Sequence, residues 1–151
     1  MKSFAAVSAL IVAAVAAVAN AQAPTFTNCA PGVASMDVTS FSISDVCIGE
    51  TYCVTATGLL NDAVVANSTF TVQARIQVSN THVFTEVHDN LCDLLDQPCP
   101  VSTGSNSLKI CLPFKTQYQG MNGAPFNFRF AASTPSGNLF CQTGLVTPKL
   151  C

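Results

Sequence analysis

The sequence predicts an all-β protein, a two-sheet sandwich of immunoglobulin-like build with about seven strands, and three observations predict it. Apolar and polar residues alternate over short stretches, which is the period of a strand with one buried face. Clusters of Gly, Asn, Ser and Pro punctuate those stretches at regular intervals, and no helical periodicity appears beyond the first twenty or so residues. The third observation is the cysteine count: eight, all beyond residue 28, an even number suited to a small disulfide-stapled domain.

The chain opens with Lys2, an apolar to weakly polar run from Phe4 to Ala19, and the small-x-small step Ala19-Asn20-Ala21. This is the pattern of a secretory signal peptide, residues 1–21, removed after Ala21. The run is too short for a bilayer span, and nothing basic follows to stop transfer. The mature chain, 22–151, is then a single domain with no linker or internal repeat. It carries five basic residues (Arg75, Lys109, Lys115, Arg129, Lys149) against eight acidic ones. That balance excludes nucleic acid as a partner, since no basic face is available to displace counterions. It also disfavours tight docking on anionic lipid.

The strands follow in order. Between residues 35 and 46 the apolar phase slips, from Met36 and Val38 on even positions to Phe41 and Ile43 on odd ones, which predicts one bulged residue. A strand is expected at 52–57. The cleanest alternation is Phe70, Val72, Ala74, Ile76 and Val78. Others are expected at 82–88, at 108–118, at Phe126, Phe128 and Phe130, and at 139–146. Within 108–118 stands Pro113, which cannot donate to a sheet ladder and belongs at an edge or a bulge.

Chemistry-bearing groups are few. Only His82 and His88 could act as a base near neutral pH, and no serine elbow or cysteine-nucleophile signature accompanies them. In HVFTEVHD a regular strand puts His82, Glu86 and His88 on one face, from which a metal or general-base site could be built. The plainer reading of the same residues is a solvated edge strand. Asn67-Ser68-Thr69 is an N-glycosylation sequon, with Asn67 as acceptor. Eight cysteines allow 105 pairings, and spacing alone does not choose among them.

The stretches CPVSTGSNSLKICLPFKTQYQ and NLFC, with CIGETYC and NSTFTVQARIQ upstream, resemble the ML lipid-recognition family. The likeness is closest to its Niemann-Pick type C protein 2 branch and extends to fungal-type phosphatidylglycerol/phosphatidylinositol transfer proteins. It spans nearly the whole mature chain: Cys29, the close pairs Cys47/Cys53 and Cys92/Cys99, the Cys99-Pro100 step, Leu112 to Tyr118, and Leu139-Phe140-Cys141. Gln142 stands where the family has tryptophan. The resemblance implies the bridges Cys29–Cys141, Cys47–Cys53 and Cys92–Cys99, and leaves Cys111–Cys151 as a fourth.

It further implies a lipid cavity between the two sheets, with Phe84, Phe114 and Tyr118 around its mouth and Phe70, Val72, Ile76, Phe126, Phe128 and Phe130 along its walls. Pro113 would bend or end ladder pairing so that Phe114 and Tyr118 guard the opening. The implied protein is a non-enzymatic monomer that carries a sterol or phospholipid, touches membranes transiently and needs no cofactor or metal. It would work outside the cell or in the lumen of the vacuole or lysosome. The rival readings are a secreted interaction or defence protein with a solid core, and a small metal-assisted hydrolase built on His82, Glu86 and His88.

Overall fold

A computed structural model describes residues 23–151; the predicted signal peptide lies outside the described residues. Eight strands form two antiparallel sheets. They are β1 (Phe26–Asn28), β2 (Met36–Ile43), β3 (Thr51–Leu60), β4 (Thr69–Ile76), β5 (His82–His88), β6 (Gly104–Pro113), β7 (Phe126–Thr134) and β8 (Gly137–Val146). One sheet runs β1-β8-β7-β4-β5 and the other β2-β3-β6, so β5 and β6 are both edge strands. Two short 3₁₀ segments, Leu91–Asp93 and Thr116–Met121, are the only helical turns among the described residues. The strand with no counterpart in the sequence reading is β1, whose three residues are too few to display a period.

The phase slip in β2 is a bulge. Register shifts between Val38 and Ser40, and Thr39 is the extra residue that lets Met36, Val38, Phe41 and Ile43 all face inward. The bulge presses the backbone of β2 onto β3 at Gly58. A Cβ at that position would overlap the Asp37 carbonyl oxygen and come within 2.9 Å of Val38 Cα. Gly58→Ala is therefore expected to cost about 3 kcal/mol of stability. Gly120→Ala, whose Cβ would meet nothing within 4 Å, is expected to cost little. Paired thermal melts check this, and equal midpoints for the two variants would contradict it.

Two expected strands are shorter in the structure. Alternation through Val78 stops at Ile76, because 77–81 fold into a hairpin turn in which Asn80 takes a φ of 54° and donates to the Ile76 carbonyl. Val78 is thus exposed at the tip rather than half-buried. The expected strand 108–118 ends at Pro113, which pairs with Thr51 as the last rung of an edge strand. Beyond it the Phe114 N–H donates to the Glu50 carbonyl, and the chain turns into the 3₁₀ segment. Asn67 is exposed at a turn with φ 68°, closed by the Ser68 N–H donating to the Val65 carbonyl.

Four disulfides staple the fold. Cys29 joins Cys141 and Cys92 joins Cys99. The other two expected bridges, Cys47–Cys53 and Cys111–Cys151, are replaced by Cys47–Cys151 and Cys53–Cys111. The pleat decides this. Tyr52 and Val54 point inward, so Cys53 points out, and its direct cross-strand partner on β6 is Cys111, with Cα atoms 4.1 Å apart. Cys47 instead lies beside Lys149 in a short bridge, which brings Cys151 within reach.

The core lies between the sheets. Phe70, Val72, Ala74, Phe128 and Phe130 from the larger sheet face Val54, Ala56, Leu108, Ile110 and Leu112 from the smaller, all fully buried.

Candidate functional site

The edges β5 and β6 come together at the end of the sandwich where β6 stops. There the inward row of β5, which reads Phe84, Glu86, His88, meets Phe114 and the 3₁₀ segment carrying Tyr118. The three expected mouth residues are in mutual contact. Phe84 stacks on Tyr118 at 4.4 Å between ring centroids, Phe114 lies 5.2 Å from Tyr118, and Phe84 and Phe114 meet edge to face at 6.2 Å.

Behind them the rings continue without a break. Phe84 and Phe114 each touch Phe128, Phe128 stacks on Phe130 at 5.8 Å, and Phe130 touches Phe70, Phe41 and Phe26. Expected wall residues Phe70, Val72, Phe126, Phe128 and Phe130 all lie in this seam or beside it, buried. Ile76 does not: it ends β4 at the rim, 37% exposed. With ring against ring, the interior that the resemblance assigns to a lipid is closed in this structure.

Polar groups cross the expected mouth. The Tyr118 hydroxyl donates to Glu86 Oε1 at 2.8 Å, and Lys115 Nζ lies 2.7 Å from the same oxygen. Glu86 itself is largely covered, opposite Val72 and between Phe84 and His88 on the inward row. Burial, then the hydrogen bond to Glu86, pushes the Tyr118 hydroxyl above the ordinary phenol range, so it stays a donor at neutral pH. The hydrogen bond and charge of Glu86 raise Lys115 likewise, which keeps it cationic. One carboxylate thus ties β5 to the segment that follows β6.

The trio His82, Glu86 and His88 is not assembled. Register slips between Ala74 and Arg75, leaving Val83 as an extra residue, and His82 turns to the outer face. There its Nε2 meets Thr85 Oγ1 at 2.8 Å, while Glu86 and His88 face inward. Cys47, Glu50 and Cys151 cluster within 4.8 Å, but both sulfurs are spent in their own disulfide.

Several contributors escaped the sequence reading. Tyr52 packs edge-on against Phe114 at 6.0 Å, and Phe26, Phe41 and Phe140 extend the seam at its far end. The alternation of Tyr52, Val54 and Ala56, and the odd phase of Phe41 after the bulge, carried that information. A separate cleft of about 780 Å³ opens at the opposite edge, between the ends of β2 and β8, lined by Pro24, Ile43, Val46, Pro125, Leu145 and Lys149 among others.

Residues 23–146 match the family profile described as ML domain. Among solved structures, a Niemann-Pick type C2 protein from Japanese carpenter ant superposes with a TM-score of 0.56 at 13% identity, covering 83% of this chain and 99% of that one. The C-terminal domain of wzt superposes with a TM-score of 0.50 at 10% identity, covering 85% of this chain and 79% of that one. A search of curated protein sequences finds no match. At these identities the structural likenesses speak for the sandwich fold alone.

Proposed function

This chain belongs to the ML domain family, a family of lipid-binding proteins, and from that premise we propose that it carries a single sterol or phospholipid between its two sheets. The observation that carries the reading is the aromatic seam. It starts at a mouth between two strand edges, Phe84, Phe114 and Tyr118, and runs inward through Phe128 and Phe130. No catalytic step is required: the protein takes up a lipid at one membrane and releases it at another.

The energetics suit such a role. A tail burying roughly 300–400 Å² of apolar surface gains roughly 8–10 kcal/mol. Lost ligand freedom removes several of these, leaving an affinity in the micromolar to nanomolar range. Uptake requires the mouth rings to swing aside and the sheets to part. At Phe84, Phe114 and Tyr118 the links are ring contacts and one carboxylate's hydrogen bonds, while further back along β6 the segment that follows β5 is held by backbone hydrogen bonds, Cys111 N–H to the Leu94 carbonyl and Asp96 N–H to the Lys109 carbonyl. Four disulfides suit an oxidising compartment, outside the cell or in an organelle lumen.

The closed packing favours one rival, a secreted interaction or defence protein whose rings are simply core. Transfer of a fluorescent lipid between vesicles separates the two. The carrier reading expects transfer that saturates with donor vesicles and scales with protein concentration; no acceleration over the protein-free rate would favour the rival.

A further inference from the structure

The inward row of β5 holds an unsatisfied pair. Glu86 Oε1 is engaged by Tyr118 and Lys115, but Oε2 faces His88 Nε2 across 4.0 Å, too far for a hydrogen bond. That Nε2 is buried and has no hydrogen-bond partner among the described residues. Buried polar atoms of this kind are paired in the great majority of folded proteins. His88 lies four residues beyond Phe84 on the same face and two beyond Glu86, the residue that Tyr118 and Lys115 engage.

The two atoms ask for complementary things. The carboxylate oxygen only accepts, and the imidazole nitrogen, in the tautomer that carries its proton on Nε2, donates. One atom placed about 2.8 Å from both, at an angle of roughly 90°, must therefore donate and accept at once. A hydroxyl oxygen does so, as does a water molecule, which the head of a bound ligand would displace. A phosphodiester does not, because it has no proton for Oε2 and brings a second negative charge beside a largely covered carboxylate. The cation that might offset it, Lys115, is already engaged with Glu86 at 2.7 Å.

Resting on the carrier reading, we propose that Glu86 and His88 form a receiving site for the uncharged hydroxyl head of a lipid. The ligand is then a neutral hydroxylated lipid, of the sterol or long-chain alcohol class; a phospholipid with a hydroxylated head, such as phosphatidylglycerol or phosphatidylinositol, is disfavoured because it brings its phosphate charge beside the largely covered Glu86 carboxylate. Glu86 and His88 would choose the head while the phenylalanine seam accepts the chain, and apolar burial alone would not make that choice.

A ligand series of constant chain length tests this on the unaltered protein: hexadecanol, its methyl ether and hexadecyl phosphate, each displacing a fluorescent lipid. The ether accepts but does not donate, and the phosphate adds charge. Hexadecanol is expected to bind about tenfold tighter than either. In His88→Phe, which keeps the ring and loses the donor, the ratio of alcohol to ether is expected to fall to about one. Equal binding of alcohol and ether by the unaltered protein overturns the head-group site and leaves the carrier reading standing. So does a preference that His88→Phe leaves intact. Binding of none of the three overturns both.

Discussion

Replacing Cys29 and Cys141 together by alanine is expected to lower the unfolding free energy by about 4–5 kcal/mol, a loss matched on the same model only by the bridge of nearly equal span, Cys47–Cys151. The bridge spans 112 residues, and in the chain-entropy model the denatured state gains freedom with the logarithm of that span. It also pins β1, a strand of three residues that holds to β8 by few hydrogen bonds. Removing Cys92–Cys99, whose span is only 7, should cost about 2 kcal/mol on the same model. Urea unfolding of both double variants under non-reducing conditions measures the difference. Equal losses would mean that the long bridge acts locally and does not organise the chain.

The largest functional effect is expected from Phe114→Asp. Phe114 is 2% exposed and touches Tyr52, Phe84, Tyr118 and Phe128, so it joins the mouth to the seam. A carboxylate there keeps its water shell and denies an incoming apolar chain its first contacts. Vesicle-to-vesicle transfer should fall at least about tenfold, whereas Phe114→Leu, which stays apolar, should stay within about threefold of the unaltered protein. The aspartate will cost stability as well. Both variants are therefore compared well below their melting midpoints, with retention of the sandwich checked by near-ultraviolet circular dichroism. Unchanged transfer by a folded Phe114→Asp protein would place the lipid route elsewhere, and the cleft at the β2–β8 edge would be the place to look.

What the sequence discloses here depends on whether a feature disturbs the local alternation. The bulge at Thr39 does, because Met36 and Val38 fall out of phase with Phe41 and Ile43, and it was legible. The bulge at Val83 does not: HVFTEVH has apolar residues in both phases, so nothing announced that His82 would turn outward from Glu86 and His88. Pro113 announced the end of β6 through its missing N–H. Gly58 gave no signal, since its crowding comes from a backbone oxygen across the sheet.

The disulfides divide along the same line. Outward phases for Cys53 and Cys111 follow from their apolar neighbours, Tyr52 and Val54 on one strand and Ile110 and Leu112 on the other. That β3 and β6 are neighbours does not follow from either strand, and the resemblance implied Cys47–Cys53 instead. The three ring positions were picked out through resemblance, whereas the meeting of Glu86, Lys115 and His88 depends on side chains from two sheet edges coming together.

The most direct test of lipid carriage is mass spectrometry of an organic-solvent extract of the purified protein. The carrier reading predicts one lipid class at near-stoichiometric amount, and the head-group site predicts that it is a neutral hydroxylated lipid. An empty extract, together with no uptake when the protein is incubated with liposomes, would contradict the reading and leave the phenylalanine seam as an ordinary core.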